Sequence, residues 1–134
     1  MPIVDTSFLI ALKNGDDPHH REAFRLAAMH SSLVIPGIVL HEFLLVAFQR
    51  GKRAAGTRQG ERSTRQALDE IQGQPVFHVE PLYDPKDASA LFLEEPGLSY
   101  ADAVAISVSL QTGHELLTFD EFQAAVAAAR SKSP

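Results

Sequence analysis

Four acids stand at positions where an acid is costly unless a partner compensates it: Asp5, Glu42, Asp102 and Asp120. Asp5 follows the apolar Pro2-Ile3-Val4, and Asp120 follows Leu116-Leu117-Thr118-Phe119. Each is therefore expected at the carboxyl end of a strand, where the chain turns into a helix. Glu42 lies among Leu40, Phe43, Leu44 and Leu45 with no Lys or Arg nearby in sequence, and Asp102 sits in the first turn of an otherwise apolar helix. In a parallel sheet these positions share one edge, the edge where open α/β folds bind ligands. A buried carboxylate is unfavourable, and clustered carboxylates raise one another's pKa. A hard divalent cation removes both penalties. Mg²⁺ takes oxygen ligands, keeps several waters and shares its shell with substrate phosphates. Bound there, it can polarise a phosphoryl oxygen and lower the pKa of an attacking water. Asp5 and Asp120 also suit ordinary N-caps, and Asp102 suits a helix dipole. A purely structural role suits Glu42 least of the four.

Strands and helices alternate along the chain around these acids. Short apolar strands are expected at Pro2–Val4, Leu33–Ile35, Val76–Val79 and Glu115–Thr118, with Glu80-Pro81 ending the third. Helices are expected at Phe8–Lys13, from Pro18 to about His30, at Ile38–Gln49, at Glu61–Gly73, from Asp84-Pro85 to about Glu94, from Leu98 to Gly113, and at Phe122–Arg130. Ile38–Gln49 is apolar nearly all round, which predicts a buried helix. Gly51–Thr57 reads as a flexible basic connection, and Gly113 as a left-handed helix stop. Strands that are apolar rather than alternating, separated by helices, predict a parallel sheet covered on both faces. The expected fold is a three-layer α/β/α sandwich with four to five strands, built as one domain over residues 1–134 with a loose tail at 130–134.

The chain has 134 residues, no Cys, 45% hydrophobic residues and a net charge of −5. Zero Cys excludes disulfides and thiolate chemistry. No apolar run is long enough for a membrane span, and no basic leader precedes an apolar segment, so a cytoplasmic protein is expected. Charge is unevenly placed. Arg50–Arg65 holds six basic residues and one acid, a net +5, leaving −10 for the rest of the chain. An acidic centre with a concentrated basic segment fits a metal site beside a phosphate-attracting rim, and the plainer alternative is a solvated helix face. Arg50, Lys52, Arg53, Arg58 and Arg62 are the candidate phosphate contacts.

The ordered set VDTSFLIAL, HEFLLV, LSYADAVAISVSL and LLTFDEF resembles the PIN-domain family over Val4 to Phe122, and within it the VapC-type ribonuclease toxins. The resemblance implies a metal-dependent endoribonuclease acting on single-stranded or structured RNA. Asp5, Glu42, Asp102 and Asp120 would hold Mg²⁺ or Mn²⁺, with Ser7 as a nearby polar position. Asp5 and Asp102 are expected to ligate the principal metal, and Glu42 and Asp120 to complete the shell, hold a second ion or hold the attacking water. The resemblance also implies an antitoxin partner and a homodimer, whose interface could draw on Phe24, Leu40 and Phe48.

Other readings are weaker. A non-catalytic PIN-like scaffold for RNA or protein would be expected to lose acids of the quartet, and none is missing. An aspartyl-nucleophile phosphatase wants a second acid two residues after Asp5, where Ser7 stands. His41-Glu42 would need a second His at position 45 to open a zinc-protease helix, and that residue is Leu45.

Overall fold

The computed structural model describes residues 1–80 and 84–132. Pro81, expected to end the third strand, lies outside them, as do Ser133 and Pro134 of the tail. The elements follow as β1 (Ile3–Val4), α1 (Thr6–Lys13), α2 (His20–Ala28), β2 (Leu33–Pro36), α3 (Gly37–Ala55) and α4 (Thr57–Gln72). After these come β3 (Phe77–Glu80), α5 (Pro85–Glu94), α6 (Tyr100–Thr112), β4 (Leu116–Leu117) and α7 (Glu121–Ser131). All four strands are parallel, in the order β3-β2-β1-β4.

Side chains alternate across a strand, and the core divides accordingly. Val4, Leu33 and Ile35 pack with Phe8, Leu9, Val39, Leu40, Phe43 and Ile71 of the first four helices. Ile3 and Val34 point the other way, against Ala88 of α5 and Val104 and Val108 of α6. Two helical layers thus cover one sheet, as the uniformly apolar strands lead one to expect. β3 departs from that pattern. At the sheet edge His78, Val79 and Glu80 are exposed, and among the described residues no further strand pairs with β3.

Four other expectations are corrected. The segment Gly51–Thr57 is not a flexible connection: α3 runs on to Ala55, turns at Gly56 (φ 88°) and re-enters a helix at Thr57. The two helices form a close hairpin because Gly51 and Gly60 lack side chains. A Cβ on Gly51 would lie 2.7 Å from the Gln59 carbonyl oxygen, and one on Gly60 would lie 2.8 Å from that of Phe48. Nor is α3 buried all round. Val39, Leu40 and Phe43 form its inward stripe, whereas His41 and Leu45 are exposed. Of the expected interface residues, Leu40 belongs to the core, Phe48 packs on Gly60, and only Phe24, 64% exposed, is presented to solvent. Finally, α7 continues to Ser131, so the helix takes in residues assigned to the tail. Among the described residues no helix is long and apolar enough to cross a membrane.

Candidate active site

The strand order places β4 on the opposite side of β1 from β2. The chain's direction of travel across the sheet therefore reverses at β1, and the crevice at such a switch point is where open α/β sheets place their ligands. Asp5 leaves β1 at this point and caps α1, its Oδ1 accepting from the Phe8 N–H at 2.9 Å. An N-cap is ordinarily wet, but Asp5 is 1% exposed. Two hydroxyls complete its surroundings. Ser7 Oγ lies 2.8 Å from Oδ1 and 3.0 Å from Oδ2, while the Thr118 hydroxyl donates to Oδ2. Each hydroxyl is itself held by a main-chain donor: the Phe119 N–H reaches Ser7 Oγ at 3.0 Å, and the Asp120 N–H reaches Thr118 Oγ1 at 3.0 Å. The segment after β4 thus orients the carboxylate at the end of β1.

Asp102 lies at N3 of α6 and closes a capping box with Ser99. Its Oδ2 accepts from the Ser99 N–H at 3.3 Å, and Ser99 Oγ accepts from the Asp102 N–H at 3.1 Å. The remaining carboxylate oxygen faces Gln123 of α7, a fully buried residue. The orientation of that amide follows from its neighbours, because its oxygen would meet only acceptors. With the nitrogen turned toward the carboxylates, it donates to Asp5 Oδ2 at 2.6 Å and Asp102 Oδ1 at 3.1 Å. Neither Gln123 nor Thr118 was singled out from sequence. The signal for Gln123 was its position three residues after an Asp N-cap, the spacing of a capping box.

Asp120 is exposed and caps α7, accepting from the Gln123 N–H at 3.0 Å. Glu42, in the second turn of α3, is half-buried. Burial raises the Asp102 carboxyl above its ordinary pKa, and the negative charges of Glu42 and Asp120 add to that rise. Asp102 also contributes to raising Asp5. The four acids therefore share one electrostatic neighbourhood centred on Asp102. Among the described residues, however, no three His, Cys, Asp or Glu side chains converge closely enough to enclose a metal ion by themselves. An oxygen-only pair, Asp5 and Asp102, fits a hard cation that takes one or two carboxylates and fills its shell with water and phosphate oxygens.

The basic residues stand elsewhere. Arg50, Lys52, Arg53, Arg58 and Arg62 are all exposed on the α3–α4 hairpin. At 1.5 Å per residue, Arg50 and Arg53 lie about 12 and 17 Å along α3 from Glu42. Both are thus offset from Glu42 by about two to three helical turns. On the acidic side a stack of three rings runs outward, from buried Phe8 to Phe119 at 5.7 Å and on to exposed His19 at 4.5 Å.

The PIN-domain family model matches residues 3–129. The chain belongs to the PIN-domain family. Its fold is similar to the crystal structure of VapC20 from Mycobacterium tuberculosis, described as a sarcin–ricin loop cleaving toxin. The two are 25% identical over 94% of this chain and 95% of that one, with a TM-score of 0.73. The structure of PAE2754 from Pyrobaculum aerophilum shares the fold at 20% identity and a TM-score of 0.62, over 92% of this chain and 82% of that one. No curated protein matches the sequence. PIN domains are generally nucleases, and the structural likeness to VapC20 supports a VapC-type member of the family.

Burial has a measurable consequence in this PIN domain. Desolvation pushes the Asp5 carboxyl from 3.8 up to about 6, against the lowering effect of its Thr118, Phe8 and Ser7 hydrogen bonds. Between these values the folded chain binds more protons than the unfolded one, so stability falls as pH rises through that window. The Gln123 amide, by donating to the same carboxylate, narrows that window without reversing its sign. Urea midpoints measured in EDTA from pH 4 to 7 should therefore fall more steeply for the wild-type chain than for Asp5→Asn. Parallel curves would contradict burial as the cause.

Proposed function

We propose that this PIN domain is a metal-dependent endoribonuclease and the toxin of a toxin–antitoxin pair, acting in the cytoplasm. The observation that carries the reading is the burial of Asp5 at the switch point of the sheet, linked to Asp102 although like charges repel. Asp5 and Asp102 would ligate Mg²⁺ or Mn²⁺. Glu42 and Asp120 would complete the shell, hold a second ion or hold the attacking water. When bound, the cation supplies polarisation of the phosphoryl oxygen and a lower pKa for the attacking water. Ser7 and Thr118 keep the Asp5 carboxylate aimed by donating to it. An antitoxin would silence the site by presenting an Arg or Lys to the acids, which their combined charge favours. A homodimer would bury Phe24, the exposed member of the apolar set.

The likeness to a toxin described as cleaving the sarcin–ricin loop makes a structured ribosomal RNA loop the first substrate to offer. A labelled RNA hairpin of that loop and an unstructured RNA of equal length should be incubated with the chain in Mn²⁺ or in EDTA. Cleavage of either RNA that EDTA abolishes supports the nuclease reading. Manganese binding without cleavage of any RNA would contradict it.

The basic hairpin is assigned to phosphate contacts distant from the scissile bond. Removing Arg53 and Arg58 together should weaken RNA binding and flatten the slope of log affinity against log salt by about 1.4, the value for two single-strand phosphate contacts. Filter binding at four salt concentrations reads this directly, and an unchanged slope would remove both residues from the interface.

A further inference from the structure

We propose that Gln123 is a positioning residue for the acid cluster, its neutral amide clamping the Asp5 and Asp102 carboxylates together when no cation holds them. The clamp itself belongs to the metal-free chain, whereas its effect on metal affinity rests on the function proposed above. Gln123 is fully buried, and a buried amide is stable only with its donors satisfied. It spends them at 2.6 Å on Asp5 Oδ2 and at 3.1 Å on Asp102 Oδ1. Its main-chain N–H simultaneously serves Asp120 Oδ1 at 3.0 Å, so one residue contacts three of the four acids.

The local sequence explains why this side chain is free to cross the site. Asp120-Glu121-Phe122-Gln123 has capping-box spacing, in which the N3 side chain normally returns to the N-cap N–H. Here that N–H is already taken by Thr118 Oγ1 at 3.0 Å. The Gln123 amide is released from the helix end and reaches α6 and the end of β1 instead. Its chemistry suits the place. An amide NH₂ offers two donors to two acceptors without adding charge, so it joins the carboxylates and leaves their negative potential available to a cation. A lysine would neutralise the cluster, and a glutamate would add a further like charge. Supporting donors of this kind set the geometry of metal ligands.

The test uses Gln123→Met, which keeps length and shape but has no donor. In EDTA it should lower the urea midpoint in the wild-type background and lower it less in the Asp102→Ala background, since the contact and the repulsion it restrains are then absent. Equal midpoint shifts in the two backgrounds would mean that Gln123 only fills space, overturning the clamp. Should Gln123→Met not fold in EDTA, Asp102→Ala must restore a folded chain, and failure to do so overturns the proposal equally. Calorimetric titration with Mn²⁺ adds a second readout: Gln123→Met should bind about tenfold more weakly than wild type, the size typical of lost ligand support. Affinity equal to or tighter than wild type would overturn the positioning role. A wild-type chain that binds no Mn²⁺ would instead refute the metal-dependent function, while the midpoints in EDTA still decide the clamp.

Discussion

Asp5→Asn is expected to lower metal-supported RNA cleavage by a thousandfold or more while the chain stays folded. Asn keeps the size of Asp and can still cap α1 by accepting from the Phe8 N–H. What it loses is the charge at the end of β1, toward which the Ser7 and Thr118 hydroxyls and the Gln123 amide are turned. Polarisation by a bound cation is worth several kcal/mol, and about 4 kcal/mol corresponds to about a thousandfold in rate. Asp120→Asn provides the internal comparison. Asp120 is exposed and its cap is equally well made by Asn, so its loss should reduce cleavage far less. Single-turnover rates at one Mn²⁺ concentration, with circular dichroism to verify folding, give the ranking. Equal losses for the two variants would contradict the central place given to Asp5.

The largest effect on stability is expected at Gly51. Val at this position would drive its Cβ to 2.6 Å from Ser63 Oγ and 2.7 Å from the Gln59 carbonyl oxygen. The serine hydroxyl can rotate away; the backbone oxygen of α4 cannot. Separation of α3 from α4 would also withdraw Ala67 and Ile71 from the core they share with Val39, Leu40 and Phe43. Overpacking of this kind costs about 3 kcal/mol, or a fall in Tm of about 10 °C for a chain of this length. Calorimetry of Gly51→Val tests it. A change below 2 °C would mean that the hairpin opens without resistance.

The sandwich was legible because its strands are short, apolar and separated by helices, a pattern that only a doubly covered parallel sheet explains. Two caps were legible for the same local reason: Asp5 and Asp120 each accept a hydrogen bond from the helix they precede. What escaped is non-local. Gly51 and Gly60 look like flexibility in a basic stretch, and only the meeting of two helices shows that they permit contact. Gln123 looks like one polar residue in an Ala-rich helix, and only the juxtaposition of α7, α6 and β1 gives it two carboxylates. The basic residues were legible as a cluster, but their distance from the acids depends on α3 running unbroken through Gly51.

In the function proposed, the acids at the carboxyl edge of the sheet hold a divalent cation that the chain needs to cut RNA. This requirement is tested most directly by titrating Mn²⁺ into EDTA-treated protein while following cleavage of a labelled RNA. Cleavage should rise from zero and saturate with Mn²⁺ for the wild-type chain, and stay flat for Asp5→Asn. Cleavage that persists in EDTA, or that is equal in the variant, would contradict it.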